Sequence, residues 1–174
     1  MTYVTHQFSA LVLALAYLNY FMGGELLFIP ILISFSSALL PDIDEPQSYI
    51  GRRLKLISNI FKAFFGHRGF THSILGFLSF TLLFYFIFIY TVGLPLVAII
   101  FFIMGYAIHL LEDLLTTNGI PLFSPFNNKR FSLSLLKTQG LGEYIFRFIF
   151  ILLFLYQSFF FLDPRLQALL DVFN

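Results

Sequence analysis

The chain has 174 residues, of which 59% are hydrophobic and 11% charged, and its net charge is +1. A soluble domain of this size carries about 25% charged residues, so a water-soluble globule and a disordered chain are both excluded, and no bulk charge argues for a nucleic-acid partner. The absence of cysteine removes disulfides, thiolate metal sites and cysteine nucleophiles. What remains is an all-α polytopic integral membrane protein, with residues 1–174 forming a single membrane domain.

A spanning helix needs about 17–25 apolar residues. The first apolar stretch covers residues 6–22 and lacks the basic start of a signal peptide. Gly23-Gly24-Glu25 separates it from the second, residues 26–40. At 1.5 Å per residue a 15-residue helix reaches about 22 Å, short of a roughly 30 Å hydrocarbon core. These two segments are read as thin or tilted spans, with a re-entrant hairpin as the alternative. A polar connection, residues 41–72, follows. Within it residues 54–65 are apolar at helical spacing with two lysines, which predicts an amphipathic helix on the membrane surface. The third span, residues 73–92, holds no charge, and the fourth, residues 94–111, is interrupted by His109 alone. The second connection, residues 112–143, contains Gly119, Pro121, Pro125 and Asn127-Asn128 and predicts turns. The fifth span covers residues 144–162, where Arg147 can snorkel to the interface. Five spans plus one interfacial helix put the amino terminus and both connections on one side. That side carries Arg52, Arg53, Lys55, Lys62, Arg68, Lys129, Arg130 and Lys137, and the other carries Arg165. Lys/Arg-rich loops are cytoplasmic, so the amino terminus is expected inside and the carboxyl terminus outside.

All four histidines fall at that face: His6 opens the first span, His67 and His72 precede the third, and His109 closes the fourth. Asp42, Asp44, Glu112 and Asp113 join them. His109 and Asp113, four apart, share one helix face and offer a nitrogen and an oxygen to one metal ion. Prolines 41 and 46 bracket Asp42 and Asp44, so these carboxylates sit on extended or turning backbone, and one or both can bind metal. In Gly66-His67-Arg68-Gly69-Phe70-Thr71-His72-Ser73 the glycines free the backbone and Thr71 is placed to cap the third span. His67 and His72, five apart, cannot share a helix face. Glu112 points about 100° from Asp113 and reads as a pairing partner. Taken singly, each residue has a plain explanation, as an interfacial anchor, a solvated helix end or a lipid-phosphate contact. Their convergence argues for a metal or catalytic site, because ionisable groups in such segments are costly.

The series His6, Pro41-Asp42-x-Asp44, His67-Arg68-Gly69-x-Thr71-His72-Ser73 and His109-x-x-x-Asp113 before Thr-x-x-Gly-x-Pro resembles the YdjM-like family. That family is described as LexA-binding, inner-membrane-associated metal-dependent hydrolases, and the likeness runs from His6 to about Phe126. It implies an inner-membrane enzyme with a metal centre at His6, Asp42, His72, His109 and Asp113, with Asp44 and His67 close by. The ligand order is also similar to that of zinc-dependent phospholipase C and related nucleases.

Imidazole and carboxylate without thiolate suit Zn²⁺, with Mn²⁺ or Fe²⁺ as alternatives, and the donor count allows one or two ions. The expected chemistry is hydrolysis of a phosphoester in a membrane lipid or lipid-linked substrate, with Asp44 as a further ligand or as the group that orients water. Arg68, between Gly66 and Gly69, is expected to hold phosphoryl oxygens, and His67 is the third catalytic candidate. A membrane metalloprotease is the alternative enzyme, although His-Glu-x-x-His is absent. A non-catalytic metal-binding scaffold or regulator is the alternative outside catalysis. A metal transporter fits poorly, because the span midsections are nearly all Phe, Leu and Ile.

Overall fold

In the computed structural model residues 1–22, 28–66 and 68–162 are described. Helix α1 covers Tyr3–Phe21 and α2 covers Phe28–Ser37. A 3₁₀ turn, Leu40–Asp44, begins with Pro41 in its first turn, where a missing N–H costs nothing. Two short helices follow, α3 (Tyr49–Arg53) and α4 (Lys55–Phe65). A second 3₁₀ turn, Phe70–His72, leads into α5 (Ile74–Phe84), which continues as a π-helix over Tyr85–Thr91. Helix α6 covers Ala98–Leu115 and α7 covers Leu141–Leu162.

Among the described residues, three helices are long and apolar enough to cross a membrane: Ile74–Thr91, Ala98–Leu115 and Leu141–Phe159. The other two expected spans differ for separate reasons. Nineteen residues give α1 about 28 Å of length, but Thr5, His6, Gln7 and Ser9 dilute its apolar character, and they face inward. The ten residues of α2 reach only about 15 Å. Both helices pack on α6. Gly105 permits the close α2–α6 approach, since a Cβ there would lie 2.1 Å from the Ser34 carbonyl oxygen.

Two boundaries also move. The fourth span, expected over 94–111, is found four residues later as α6. Pro95 lies ahead of its first turn, and Glu112 and Asp113 stay helical because they are buried and paired rather than solvated. The cap of α5 is Ser73, whose hydroxyl accepts from Gly76 N at 3.0 Å; Thr71, expected in that role, points elsewhere. The helix expected over residues 54–65 forms as α4, with Leu56 and Phe64 about three-quarters exposed. The second connection folds back on itself through bridges at Thr116–Leu136 and Ile120–Phe131.

Helix α7 docks on α1, where Phe154 meets the Phe8 ring edge-on at 5.9 Å. Glu143 at its start accepts from Thr2 N, Thr2 Oγ1 and Thr5 Oγ1 at 2.6–2.8 Å. The beginnings of α1, α5 and α7 and the ends of α2 and α6 thus gather at one end of the bundle. Arg165 and the carboxyl terminus, and with them the expected outer side, lie outside the described residues, as do His67 and the Gly23-Gly24-Glu25 break.

Candidate metal centre

At that end four stretches of chain meet: α1 brings His6, the first 3₁₀ turn brings Asp42 and Asp44, the second brings His72, and α6 brings His109, Glu112 and Asp113. Each imidazole has its Nδ1 engaged. His6 Nδ1 lies 2.5 Å from Glu112 Oε2. His109 Nδ1 lies 2.7 Å from the Ala38 carbonyl oxygen. His72 Nδ1 lies 3.1 Å from Thr71 Oγ1 and 3.5 Å from Asp44 Oδ2. Every Nε2 is buried and, among the described residues, none has a hydrogen-bond partner.

These Nε2 atoms face two carboxylates. His72 Nε2 is 3.8 Å from Asp42 Oδ1 and 3.7 Å from Asp113 Oδ2. His109 Nε2 is 3.8 Å and 3.9 Å from the same two oxygens. His6 Nε2 is 3.6 Å from Asp113 Oδ1. His6, His109 and Asp113 form one group able to hold an ion, and Asp42, His72 and His109 form another. Ligands about 2.0–2.2 Å from a tetrahedral ion lie about 3.3–3.6 Å apart, so the imidazole–carboxylate separations of 3.6–3.9 Å are within a few tenths of an ångström of that spacing, and the ligand atoms of each group all lie within 4.8 Å of one another. A buried imidazole nitrogen without a partner is costly. Three of them facing two acid groups fit a divalent cation, and a metal-bound histidine ordinarily has its other ring nitrogen held in this way.

The surrounding polar groups hold the ring positions. Asp44, fully buried, accepts from Thr71 Oγ1 at 2.6 Å and from Gly69 N at 3.2 Å, fastening the second 3₁₀ turn to the first. Tyr106, one turn before His109 on α6, donates to the Thr71 carbonyl at 2.6 Å. Asp113 also meets the Met1 ammonium at Oδ1, and Arg68 Nη2 at 3.1 Å from Oδ2. Arg68 adopts a left-handed backbone, φ +52°, beside Gly66 at φ +73°. That conformation is strained for a side chain and is retained mainly where function requires it. Arg68 Nε and Nη1 are buried without a hydrogen-bond partner among the described residues. Asp42 is the most open member of the cluster, its side chain 19% exposed against 0–1% for the histidines. Burial nonetheless pushes its carboxyl above the ordinary aspartate range, with His72 and His6 partly offsetting the effect.

The expected ligands His6, Asp42, His72, His109 and Asp113 are therefore brought together, with Arg68 beside them. Asp44 joins neither group; its Oδ2 faces the back of His72. Glu112 sits on His6. Sequence reasoning missed the Ala38 carbonyl and Tyr106, and also the Glu143 clamp on Thr2 and Thr5. A run of small residues, Ser36-Ser37-Ala38, marks the close helix contact that brings the Ala38 carbonyl to His109, but no residue type marks a carbonyl as a partner.

Residues 1–169 match the profile of a family described as YdjM inner membrane protein. The chain is 42% identical over 120 residues to Inner membrane protein YdjM of Escherichia coli (strain K12), and equally to that of Shigella flexneri, which covers 69% of this chain and 60% of each relative. It is 41% identical over 102 residues to YvsG of Bacillus subtilis (strain 168), covering 56% of this chain and 60% of the relative. The chain thus spans about 60% of the length of the curated relatives it matches. No solved structure matches.

Proposed function

The chain belongs to the YdjM inner membrane protein family, and on that premise we propose that it is a membrane-embedded metal-dependent hydrolase acting on the phosphoester of a membrane lipid or lipid-linked substrate. One observation carries this reading: three buried imidazoles, each held at Nδ1, turn unpartnered Nε2 atoms toward two carboxylates. His6, Asp42, His72, His109 and Asp113 would hold the ion, with zinc suited to this donor set. A bound divalent ion supplies Lewis acidity and brings the pKa of a water to about 7.

The remaining work falls to side chains of this chain. Glu112, the Ala38 carbonyl and Thr71 fix which ring nitrogen of each histidine faces the centre. Asp44, read from sequence as a ligand or proton acceptor, is assigned here as a positioning residue, because its contacts tie Gly69, Thr71 and His72 together. Arg68 offers Nε and Nη1 to phosphoryl oxygens and stabilises the charge that gathers on them. Asp42 and Arg68, the least buried members, mark the side by which substrate reaches the centre. The amino terminus and both connections are placed in the cytoplasm, where their basic residues meet anionic headgroups.

The near-complete burial of His6, His72, His109 and Asp113 favours one other reading, an ion that ties the helices together without catalysis. Two measurements separate the readings. Elemental analysis of purified protein should find transition metal in the wild type and much less in His109→Ala. Mass spectrometry of lipids incubated with each protein should then show a phosphoester cleaved by the wild type alone. Metal without any lipid change favours the structural tie, and absence of metal from both proteins defeats both readings.

A further inference from the structure

A cavity of about 590 Å³ lies between α2, the first 3₁₀ turn, α3, α5 with its π-helical extension, and α6. That volume falls within the range of sites that bind small molecules, about 300–1,000 Å³. Its walls are aliphatic and aromatic, with Leu32 and Ile33 from α2, Phe84 and Phe88 from the α5 extension, and Phe102 from α6. Leu32 and Phe88 are 49% and 42% exposed, so the cavity is a groove open along one side rather than a closed void. The π-helix shapes one wall, with Phe84 stacked on Phe88 at 5.0 Å and on Phe102 at 4.4 Å. Such irregular turns are frequent at functional sites.

The polar side chains of its lining are Ser36 and Ser37 on α2 and Tyr49 and Arg53 on α3. At the exposed α3 edge the Arg53 guanidinium lies 3.8 Å over the Tyr49 ring while Nη1 donates to the Tyr49 carbonyl at 3.2 Å. Tyr49 in turn stacks at 4.7 Å on Tyr3, one turn before His6 on α1. At the other edge, the lining residues Leu39 and Leu40 run directly into Pro41-Asp42, and Ala38, whose carbonyl holds His109, lies between lining residues Ser37 and Leu39. One end of an apolar trough is therefore built from the same backbone as the metal centre, and its mouth carries a fixed cation.

We propose that this groove takes an acyl chain of an anionic membrane phospholipid, with the headgroup phosphate docked first on Arg53 over its Tyr49 platform, Arg68 engaging the phosphoryl group only once it reaches the metal centre. The assignment of that lipid as substrate rests on the hydrolase reading; the occupancy does not. A guanidinium held flat by an aromatic ring keeps its remaining N–H groups for phosphate oxygens, and apolar walls give a hydrocarbon chain the burial it seeks.

The chain has no tryptophan, so one introduced indole is read without background. Phe88→Trp and Leu32→Trp place it on two walls of the groove, and Leu152→Trp places it on the outer face of α7, where bulk lipid is sampled. The purified full chain is reconstituted in phosphatidylcholine vesicles holding a small mole fraction of phosphatidic acid with brominated acyl chains, with chelator present to prevent turnover. Both groove indoles should be quenched well beyond Leu152→Trp, and brominated phosphatidylcholine at the same fraction should give no such excess. Adding Arg53→Gln should weaken the apparent affinity for the brominated phosphatidic acid about tenfold, equivalent to about 1.4 kcal/mol. Equal quenching in the groove and on α7 overturns the proposal, and so does an excess that Arg53→Gln leaves intact. Turnover of lipid by a protein whose groove stays empty defeats this inference alone. A groove that fills in a protein that hydrolyses nothing retains it and defeats the hydrolase reading.

Discussion

Replacing Glu112 by Gln exchanges one carboxylate oxygen for an amide nitrogen in a fully buried position that the proposed ion never touches. Glu112 Oε2 meets His6 Nδ1 at 2.5 Å, with both side chains 1% exposed. The contact is a charge-assisted hydrogen bond in a medium where such bonds are strong. It fixes Nε2 as the nitrogen offered to the metal and raises its basicity. Removing a partner of this kind lowers metal affinity by about 10–100-fold, which is about 1.4–2.7 kcal/mol. The glutamine carbonyl can still accept from Nδ1, so Glu112→Gln should fall near the tenfold end. Glu112→Ala should fall near the hundredfold end, and it should also lower metal-free stability by about 1–3 kcal/mol, because His6 Nδ1 is left buried without an acceptor. Zinc affinity is read by titrating detergent-solubilised protein against a chelator of known strength, with His109→Ala as the loss-of-ligand reference and thermal unfolding in chelator as the stability measure. If both Glu112 variants hold zinc as tightly as the wild type while His109→Ala does not, the assignment of His6 as a ligand is refuted.

Three further outcomes follow from the same geometry. Asp113→Ala leaves the largely buried Arg68 guanidinium without its carboxylate, so in chelator its unfolding free energy should drop by about 3–5 kcal/mol; an unchanged melting temperature would show that this charge is solvated. Asp42 carries a carboxyl raised above the ordinary aspartate value of about 3.9, so in the metal-free protein its contribution is favourable in acid and is lost as pH rises through the raised value. Asp42→Asn should therefore flatten the pH dependence of metal-free stability above pH 4 while weakening zinc binding, and a profile matching the wild type counts against it. Single cysteines at Thr2, Ser48 and Ser132 should resist an impermeant thiol reagent in intact cells and react after lysis. Labelling of Ser48 from outside would invert the orientation.

The donor set was legible because imidazole and carboxylate are rare in so apolar a chain, and His109 and Asp113 declare their shared face by a spacing of four. The roles behind that set were not legible. Asp42 and Asp44 stand two apart in one bracketed turn, and nothing in their spacing tells which faces the centre. The tight 3₁₀ winding separates them, sending Asp44 toward Gly69 and Thr71. Thr71 looked like a helix cap because it precedes an apolar run, but Ser73 stands closer to the first helical N–H groups. The three long spans were visible as apolar runs broken only by His109 in one and Arg147 in another, whereas α1 and α2 were ambiguous because their polar residues are buried in the packed bundle, a fact of packing that composition cannot carry. The close α2–α6 approach was similarly hidden, since Gly105 shows its purpose only once the Ser34 carbonyl and Ser37 hydroxyl lie where its side chain would be.

The polar face of α1 has a consequence for how the protein is made. Thr5, His6 and Ser9 are fully buried, yet the carboxylates that receive Thr5 and His6 lie 138 and 106 residues further along the chain. At a synthesis rate of about 5–20 residues per second, Glu143 follows Thr5 by about 7–28 seconds. Throughout that interval the His6 imidazole and the Thr5 hydroxyl lack those carboxylates, whereas the Ser9 hydroxyl is met within the helix by the Thr5 carbonyl. The polar face of the first helix is covered only when α6 and the start of α7 have been made. Folding therefore closes backwards here, α1 being fixed by carboxylates made more than a hundred residues after it.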